Sequence, residues 1–305
     1  MTIWRITPTS SLDLSPGAEP QILGILNVTP DSFSDGGRWS ALDAAVAQAE
    51  RMLAAGAFGV DIGGESTRPG AQRIRADEQT RRVVPVIEAV RRVVGPNATI
   101  SIDTTRAEVA RAALDAGADA INDVSGGEED PAMLPLAAAR ACGIILMHRG
   151  TSPELDSYST SYGKPGERTP PHGTAIDIVV LVKHRLEQMA ARAVAAGIAW
   201  ESIVLDPGLG FGKTVEQNLE LVRRTEELVA LGRPVMSGLS RKSFAARAAG
   251  LPDETPPAQR IDATVALSQG HREAGARLFR VHDVKEHAAA FGIGPTAGSK
   301  GRTPN

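Results

Sequence analysis

Carboxylates, amides and cationic side chains recur in this sequence directly after short apolar runs, and their types define the chemistry on offer. Asp103, Asn122 and Asp206 supply acceptors and one amide, and Lys242 adds a donor. Together they suit a flat heterocycle whose edge alternates N–H donors with carbonyl or imine acceptors, because edge atoms must be paired where water is excluded. Thr67, Arg68, Arg280 and His282 are donors to anions. Arginine presents a planar fork that matches phosphate and can also stack on a ring, so Arg280 is able to serve both parts of such a ligand. His282 is read equally as an anion donor and as a hydrogen-bonded structural histidine.

The run Asp206-Pro207-Gly208-Leu209-Gly210-Phe211-Gly212-Lys213-Thr214 joins a carboxylate to three glycines where a strand hands over to a helix. Such a turn lets backbone N–H groups approach a ligand. It nearly spells a nucleotide-binding loop, but Pro207 stands where that loop needs its first glycine. That mismatch argues against the nucleotide-loop reading, in which Lys213 would be the phosphate ligand.

Positioning these groups on one surface requires a repeated scaffold. From Gln21 onward, apolar runs alternate with polar loops and Ala-rich helical segments, the pattern of βα units on a parallel sheet. The runs are Ile22–Leu26, Gly59–Ile62, Thr99–Ile102, Ala120–Asn122, Gly143–Met147, Ile203–Leu205, Pro234–Ser237 and Leu278–Val281. Eight such units predict a single α/β domain, a (β/α)8 TIM barrel over residues 21–291. Its strand ends, at Asn27, Asp61, Asp103, Asn122, Asp123, His148, Asp206, Arg280 and His282, would converge on the C-terminal face where such barrels do chemistry. A Gly-Ala pair precedes three of the runs, at Gly56, Gly117 and Gly275, and predicts a glycine-terminated helix before each. Spacing predicts helices over Ala107–Ala116 and Asp177–Ala196, whose apolar stripes are packing residues.

Residues 1–20 are expected to form an N-terminal extension with a short strand or hairpin, and residues 292–305 a disordered tail. The loops at 29–37 and 63–70 read as lids, and the polar stretch 149–173 as mobile or functional. Of the 305 residues, 42% are hydrophobic and 23% charged, ordinary for one globular core. The net charge of −3 and the dispersed Lys and Arg give no footprint for nucleic acid or a membrane surface. The lone Cys142 sits among apolar neighbours and reads as buried packing, and with no leader-like or membrane-spanning run the expected location is cytoplasmic.

The blocks Gly24-Ile25-Leu26-Asn27-Val28-Thr29-Pro30-Asp31-Ser32-Phe33-Ser34-Asp35-Gly36-Gly37, Glu65-Ser66-Thr67-Arg68-Pro69-Gly70, Asn122-Asp123-Val124-Ser125-Gly126-Gly127, Asp206 to Lys213, Ser240-Arg241-Lys242-Ser243 and Arg280-Val281-His282-Asp283-Val284 resemble those of the dihydropteroate synthases. They occur in that family's order, from about Gln21 to Phe291. The resemblance implies condensation of 6-hydroxymethyl-7,8-dihydropterin diphosphate with 4-aminobenzoate, giving 7,8-dihydropteroate and pyrophosphate. It also implies a sulfonamide target, an Mg²⁺ cofactor and a homodimer.

By the same resemblance Asp103, Asn122, Asp206, Lys242 and Arg280 would hold the pterin, and Asn27 would ligate Mg²⁺. Thr67, Arg68, Arg280 and His282 would contact the diphosphate. Phe33, Pro69, Phe211 and Ser240 would line the aminobenzoate subsite, with Lys242, Arg280 and Asp35 in catalytic roles. Two features depart from the pattern: Arg149-Gly150 follows His148 directly, and Arg260-Ile261-Asp262-Ala263-Thr264 replaces a Gly-Thr or Gly-Ser. His148 is read equally as a pocket group and as structural. The alternatives are a methyltetrahydrofolate-type methyltransferase module, which has no need of a pyrophosphate cluster, and a non-catalytic pterin-binding paralogue, which should have lost parts of these blocks.

Overall fold

A computed structural model of the chain describes residues 2–28, 37–162, 164 and 168–294. The N-terminal segment forms an antiparallel hairpin, β1 (Ile3–Thr7) and β2 (Ser10–Asp13). The barrel strands are β3 (Gln21–Asn27), β4 (Gly59–Gly63), β5 (Thr99–Asp103), β6 (Ala120–Asp123), β7 (Gly143–Met147), β8 (Ile203–Asp206), β9 (Met236–Ser237) and β10 (Leu278–Val281). They pair in parallel in the order β8-β7-β6-β5-β4-β3-β10-β9, and a bridge between Leu205 and Val235 closes the circle. Around them run helices α1 (Gly37–Ala54), α2 (Ala76–Val94), α3 (Ala107–Asp115), α4 (Met133–Arg140), α5 (Ile178–Ala195), α6 (Val215–Arg223), α7 (Thr225–Val229), α8 (Ser243–Ala248), α9 (Ile261–Glu273) and α10 (Val284–Phe291). The (β/α)8 expectation holds, with β9 cut to two residues; ahead of it the Pro234 carbonyl accepts the Leu205 N–H at 2.9 Å.

Alternation along each strand divides the side chains into two cores. Ile22, Val60, Ile62, Ile100, Ile102, Ile121, Ile144, Leu205 and Phe279 face outward and pack on the helices. Leu23, Ala120, Ile145, Val204, Met236 and Leu278 face inward and form one cluster with Trp4, Ile6, Leu12 and Leu14 of the N-terminal segment. The hairpin is thus a plug in the N-terminal end of the barrel. Trp4 is fully buried there, and its indole N–H donates to the Ser202 carbonyl at 3.1 Å. Gly143 makes the room: a Cβ on it would lie 2.7 Å from the Trp4 indole nitrogen.

The three Gly-Ala returns share one geometry, with φ of 111° at Gly56, 111° at Gly117 and 114° at Gly275, values that favour glycine. Asp177 caps α5 by accepting from the Val179 and Val180 N–H groups, and Thr214 with Gln217 forms a capping box on α6. Of the tail expected to be disordered, Gly292 ends α10 in a left-handed conformation and Ile293 packs on the core. Residues 295–305 lie outside the described residues, as do Phe33 and Asp35.

Candidate active site

With apolar side chains filling the lower interior, the polar inward-facing residues occupy the layers above. In the middle layer Asp61 of β4 stands level with Ser101 of β5. At the top, Asn27 of β3 stands beside Gly63, and Gly63 beside Asp103. Arg280 of β10 reaches across the barrel: its Nε donates to Asp61 and its Nη2 to Asp103, both at 2.5 Å. Asp61 also accepts from the Ser101 hydroxyl at 2.5 Å and the Asn122 amide at 2.9 Å. Asp61 is fully enclosed while the Arg280 side chain keeps 16% exposure, so the arginine is the member of the pair that opens to the mouth.

Charge and burial oppose one another here. Burial works against the Arg280 cation, but Asp61 and Asp103 outweigh it and hold its pKa above the usual value. Burial pushes Asp103 up, opposed by Arg280 and reinforced by the Asp61 charge. Asp206 is likewise raised by burial, against the Gly208 N–H, which it accepts at 2.7 Å, and the Lys242 charge. Gly238 borders its other oxygen, where a Cβ would come to 3.2 Å. Burial brings Lys242 down to about 7 against the pull of Asp206. Its ammonium donates to the Leu209 carbonyl and lies 3.9 Å above the Phe211 ring.

The glycine turn after β8 is shaped by close approach. Gly208, Gly210 and Gly212 have φ of 66°, 80° and 63°, and a Cβ on Gly208 would lie 1.8 Å from the His148 carbonyl oxygen. Lys213 turns inward, fully buried, and donates to the carbonyls of Gly208 (2.8 Å), Phe211 (3.0 Å) and His148 (3.4 Å). It ties the turn together, as its rejection as a phosphate ligand allows. The stretch 149–173 docks on this turn. Asp156 accepts from the Gly212 N–H and the Tyr162 hydroxyl, and Ser159 accepts from Asn218.

Two further loops complete the rim. After β9 and β10, Ser240 Oγ accepts the His282 N–H at 3.1 Å and meets its Nδ1 at 3.1 Å. If the hydroxyl donates to Nδ1, the ring proton sits on Nε2, a donor facing elsewhere. Burial, with the charges of Arg241, Arg280 and Arg68, pushes His282 down to about 3, so it is a neutral donor amid cations. Arg241 adopts φ of 58° and pairs with Asp283, locking these loops to one another. Thr67 and Pro69 are half-buried and Arg68 is exposed on the loop after β4. That loop is held from behind: Gly70 N–H donates to the Pro153 carbonyl at 2.8 Å, and Arg73 pairs with both Glu129 and Glu154.

The barrel therefore brings Asn27, Asp103, Asn122, Asp206, Lys242, Arg280, Ser240, Phe211 and His282 to one end, with Thr67, Arg68 and Pro69 on its rim. Asp123 and His148 do not join them. Asp123 closes its own turn, accepting from Ser125 and Gly127. His148 follows the inward-facing Met147 and packs against His172, their ring centroids 5.2 Å apart. Arg149 pairs with Glu129, a link invisible in local sequence. Asp61 is not a strand end but the middle residue of Gly-Val-Asp-Ile-Gly, a buried carboxylate inside an apolar strand, which is the sequence signal for its bridging contacts.

Comparison with known proteins agrees with this arrangement. A family profile described as pterin binding enzyme matches residues 23–282. A dihydropteroate synthase of Mycobacterium leprae is 44% identical over 278 residues, covering 90% of this chain and 93% of that protein. Among solved structures, the Yersinia pestis dihydropteroate synthase in a sulfonamide drug complex superposes with a TM-score of 0.80 at 39% identity, over 95% of this chain and 97% of that one. The Thermus thermophilus enzyme in complex with 4-aminobenzoate gives 0.78 at 38% identity, over 96% and 98%.

Proposed function

Because this chain belongs to the dihydropteroate synthase family of pterin-binding enzymes, we propose a division of labour among its residues for that family's reaction. The reaction is an alkyl transfer: 6-hydroxymethyl-7,8-dihydropterin diphosphate and 4-aminobenzoate give 7,8-dihydropteroate and pyrophosphate. The observation that carries the assignment is the pairing, at one barrel mouth, of a donor–acceptor floor with a cationic rim whose charges converge on His282.

Asp206 accepts the paired donors of the amino-pyrimidinone edge, Lys242 donates to its carbonyl side, and Asp103 and Asn122 complete the edge. Arg280, Arg68, Thr67 and the neutral His282 receive the diphosphate. Phe211, Pro69 and Ser240, together with Phe33, line the aminobenzoate subsite. The C–O bond to the diphosphate breaks first, its electrons leaving with pyrophosphate, and the arginines stabilise the growing negative charge. The pterin methylene becomes cationic, Asp35 stabilises it, and the aminobenzoate nitrogen then attacks, giving up one of its protons to the departing pyrophosphate. The rim loops exclude the water that would otherwise capture the cation.

Asn27 offers an amide oxygen beside Gly63 and Asp103. Among the described residues no group of three or more His, Cys, Asp or Glu could hold a metal. One hard oxygen supplemented by substrate phosphates fits Mg²⁺, which keeps several waters and rarely uses an all-protein cage. When bound it would neutralise diphosphate charge. The same reading carries a cytoplasmic homodimer; no described helix is long and apolar enough to cross a membrane.

The test is incubation of purified protein with the pterin diphosphate, radiolabelled 4-aminobenzoate and Mg²⁺. Labelled dihydropteroate is expected, and its absence defeats the reading. A Lys242→Ala enzyme with wild-type turnover defeats the residue assignment.

A further inference from the structure

Asp61 has no ligand role above, yet two residues that do are anchored to it. The inner face of β4 reads Gly59-Asp61-Gly63, so Asp61 is the one inward side chain of its strand, and it is fully buried. A Cβ on Gly59 would lie 2.4 Å from the Thr99 carbonyl oxygen, so no side chain fits beneath it. One Asp61 oxygen accepts from Ser101, and the other from both Arg280 Nε and Asn122 Nδ2.

A carboxylate accepts and does not donate, so the Asn122 atom turned toward it at 2.9 Å is the amide nitrogen. The Asn122 oxygen is what remains, and it is buried without a hydrogen-bond partner among the described residues. A buried acceptor in that state is costly unless a ligand donor meets it. On the Arg280 side, holding Nε directs the outer nitrogens toward Asp103 and the mouth.

We propose that Asp61 is a positioning residue that sets the polarity of the pocket: it locks Asn122 as an acceptor toward the bound ring and aims Arg280 at the mouth. The proposal rests on the pterin reading of this site. It deepens that reading by stating which atom of Asn122 the ring must satisfy. The pocket then requires an N–H at that edge position and rejects a ring presenting a carbonyl or bare nitrogen there.

The test uses 6-hydroxymethylpterin, which lacks the diphosphate and so reports on the ring alone. Its affinity is measured by titration calorimetry for the wild type, Asp61→Asn, Asn122→Ala and the double variant. An amide at position 61 loses the charge-assisted hold and offers both polarities, so Asn122 is no longer locked. Asp61→Asn is expected to weaken pterin binding about tenfold. In the Asn122→Ala background the same change should cost under about threefold, because the ring contact it orients is gone and Arg280 serves the diphosphate that this ligand lacks.

The KM for 4-aminobenzoate should stay within about twofold and the melting temperature within a few degrees, which separates positioning from a general structural defect. Undiminished pterin affinity in Asp61→Asn, alongside a loss in Asn122→Ala, overturns the role of Asp61 and leaves the pocket reading standing. Undiminished affinity in Asn122→Ala overturns both.

Discussion

Replacing Gly210 with alanine tests whether the glycine turn sets the position of the Lys242 ammonium. Gly210 has φ of 80°, and a Cβ built on it lies 2.5 Å from Lys242 Cδ. Carbon atoms in contact prefer about 3.5–4.0 Å, so the lysine stem must retreat by roughly 1 Å. That movement disturbs the bond to the Leu209 carbonyl and the seat above Phe211. Left-handed alanine itself costs about 1–2 kcal/mol, worth a few degrees of melting temperature in a chain of this size. A misplacement of about 1 Å in a positioned group can cost on the order of 100-fold in rate. The expected result is therefore a steady-state kcat/KM for the pterin diphosphate reduced on that order in a protein that melts only slightly early. Gly292→Ala is the control: φ is 75° there and nothing lies within 4 Å of the added carbon, so it carries backbone strain alone. Equal kcat/KM in the two variants would refute the reasoning.

Three other outcomes follow from the same geometry. Burial holds Lys242 near 7 in the free protein, so as pH rises through about 7 the ammonium is lost and pterin affinity falls. A ring carbonyl that favours the protonated form must then draw up to about one proton on binding at pH 8. Calorimetry in buffers of different ionisation heat measures it; identical heats in all of them exclude it, and Lys242→Met should abolish the effect. Trp4→Ala removes the ring from the barrel plug and should cost about 3–5 kcal/mol, read as a melting temperature lower by roughly 10 °C, with kcat/KM unchanged within about twofold; an unaltered melting temperature contradicts the plug. Chelation of divalent ions should stop turnover, and Asn27→Ala should raise the Mg²⁺ concentration for half-maximal rate about tenfold. The same Mg²⁺ dependence in both proteins removes Asn27 from the metal site.

Much of the barrel was legible because its strands are covered outside by helices and filled inside at the base, which leaves nearly continuous apolar runs. Periodic glycine returns at 56, 117 and 275 marked the way back into the sheet. The run at 234–237 hid the shortness of β9, since an apolar run does not say how many ladder bonds it makes. Residue types at the strand ends described a donor and acceptor pocket, but not depth within it. Asp61 sits a layer below Asp103, and its contacts with Asn122 and Arg280 bridge 61 and 219 positions of sequence. No local pattern encodes such pairs. The length and the Ser, Thr, Pro and Gly content of 149–173 read as mobile or functional but did not show that Asp156 and Ser159 tie it to the glycine turn through hydrogen bonds.

The hairpin at the base also bears on the order in which the molecule completes itself during synthesis. Trp4 finds its carbonyl partner 198 positions downstream, and Ile3 receives the guanidinium of Arg233 across 230. This segment therefore has nowhere to dock until about two hundred further residues have left the ribosome. Contacts of such separation carry a large loop-closure cost and slow folding. Until then its tryptophan and leucines are exposed on a nascent chain, so a chaperone that shields apolar segments should engage residues 3–14 early and release them after β8 emerges.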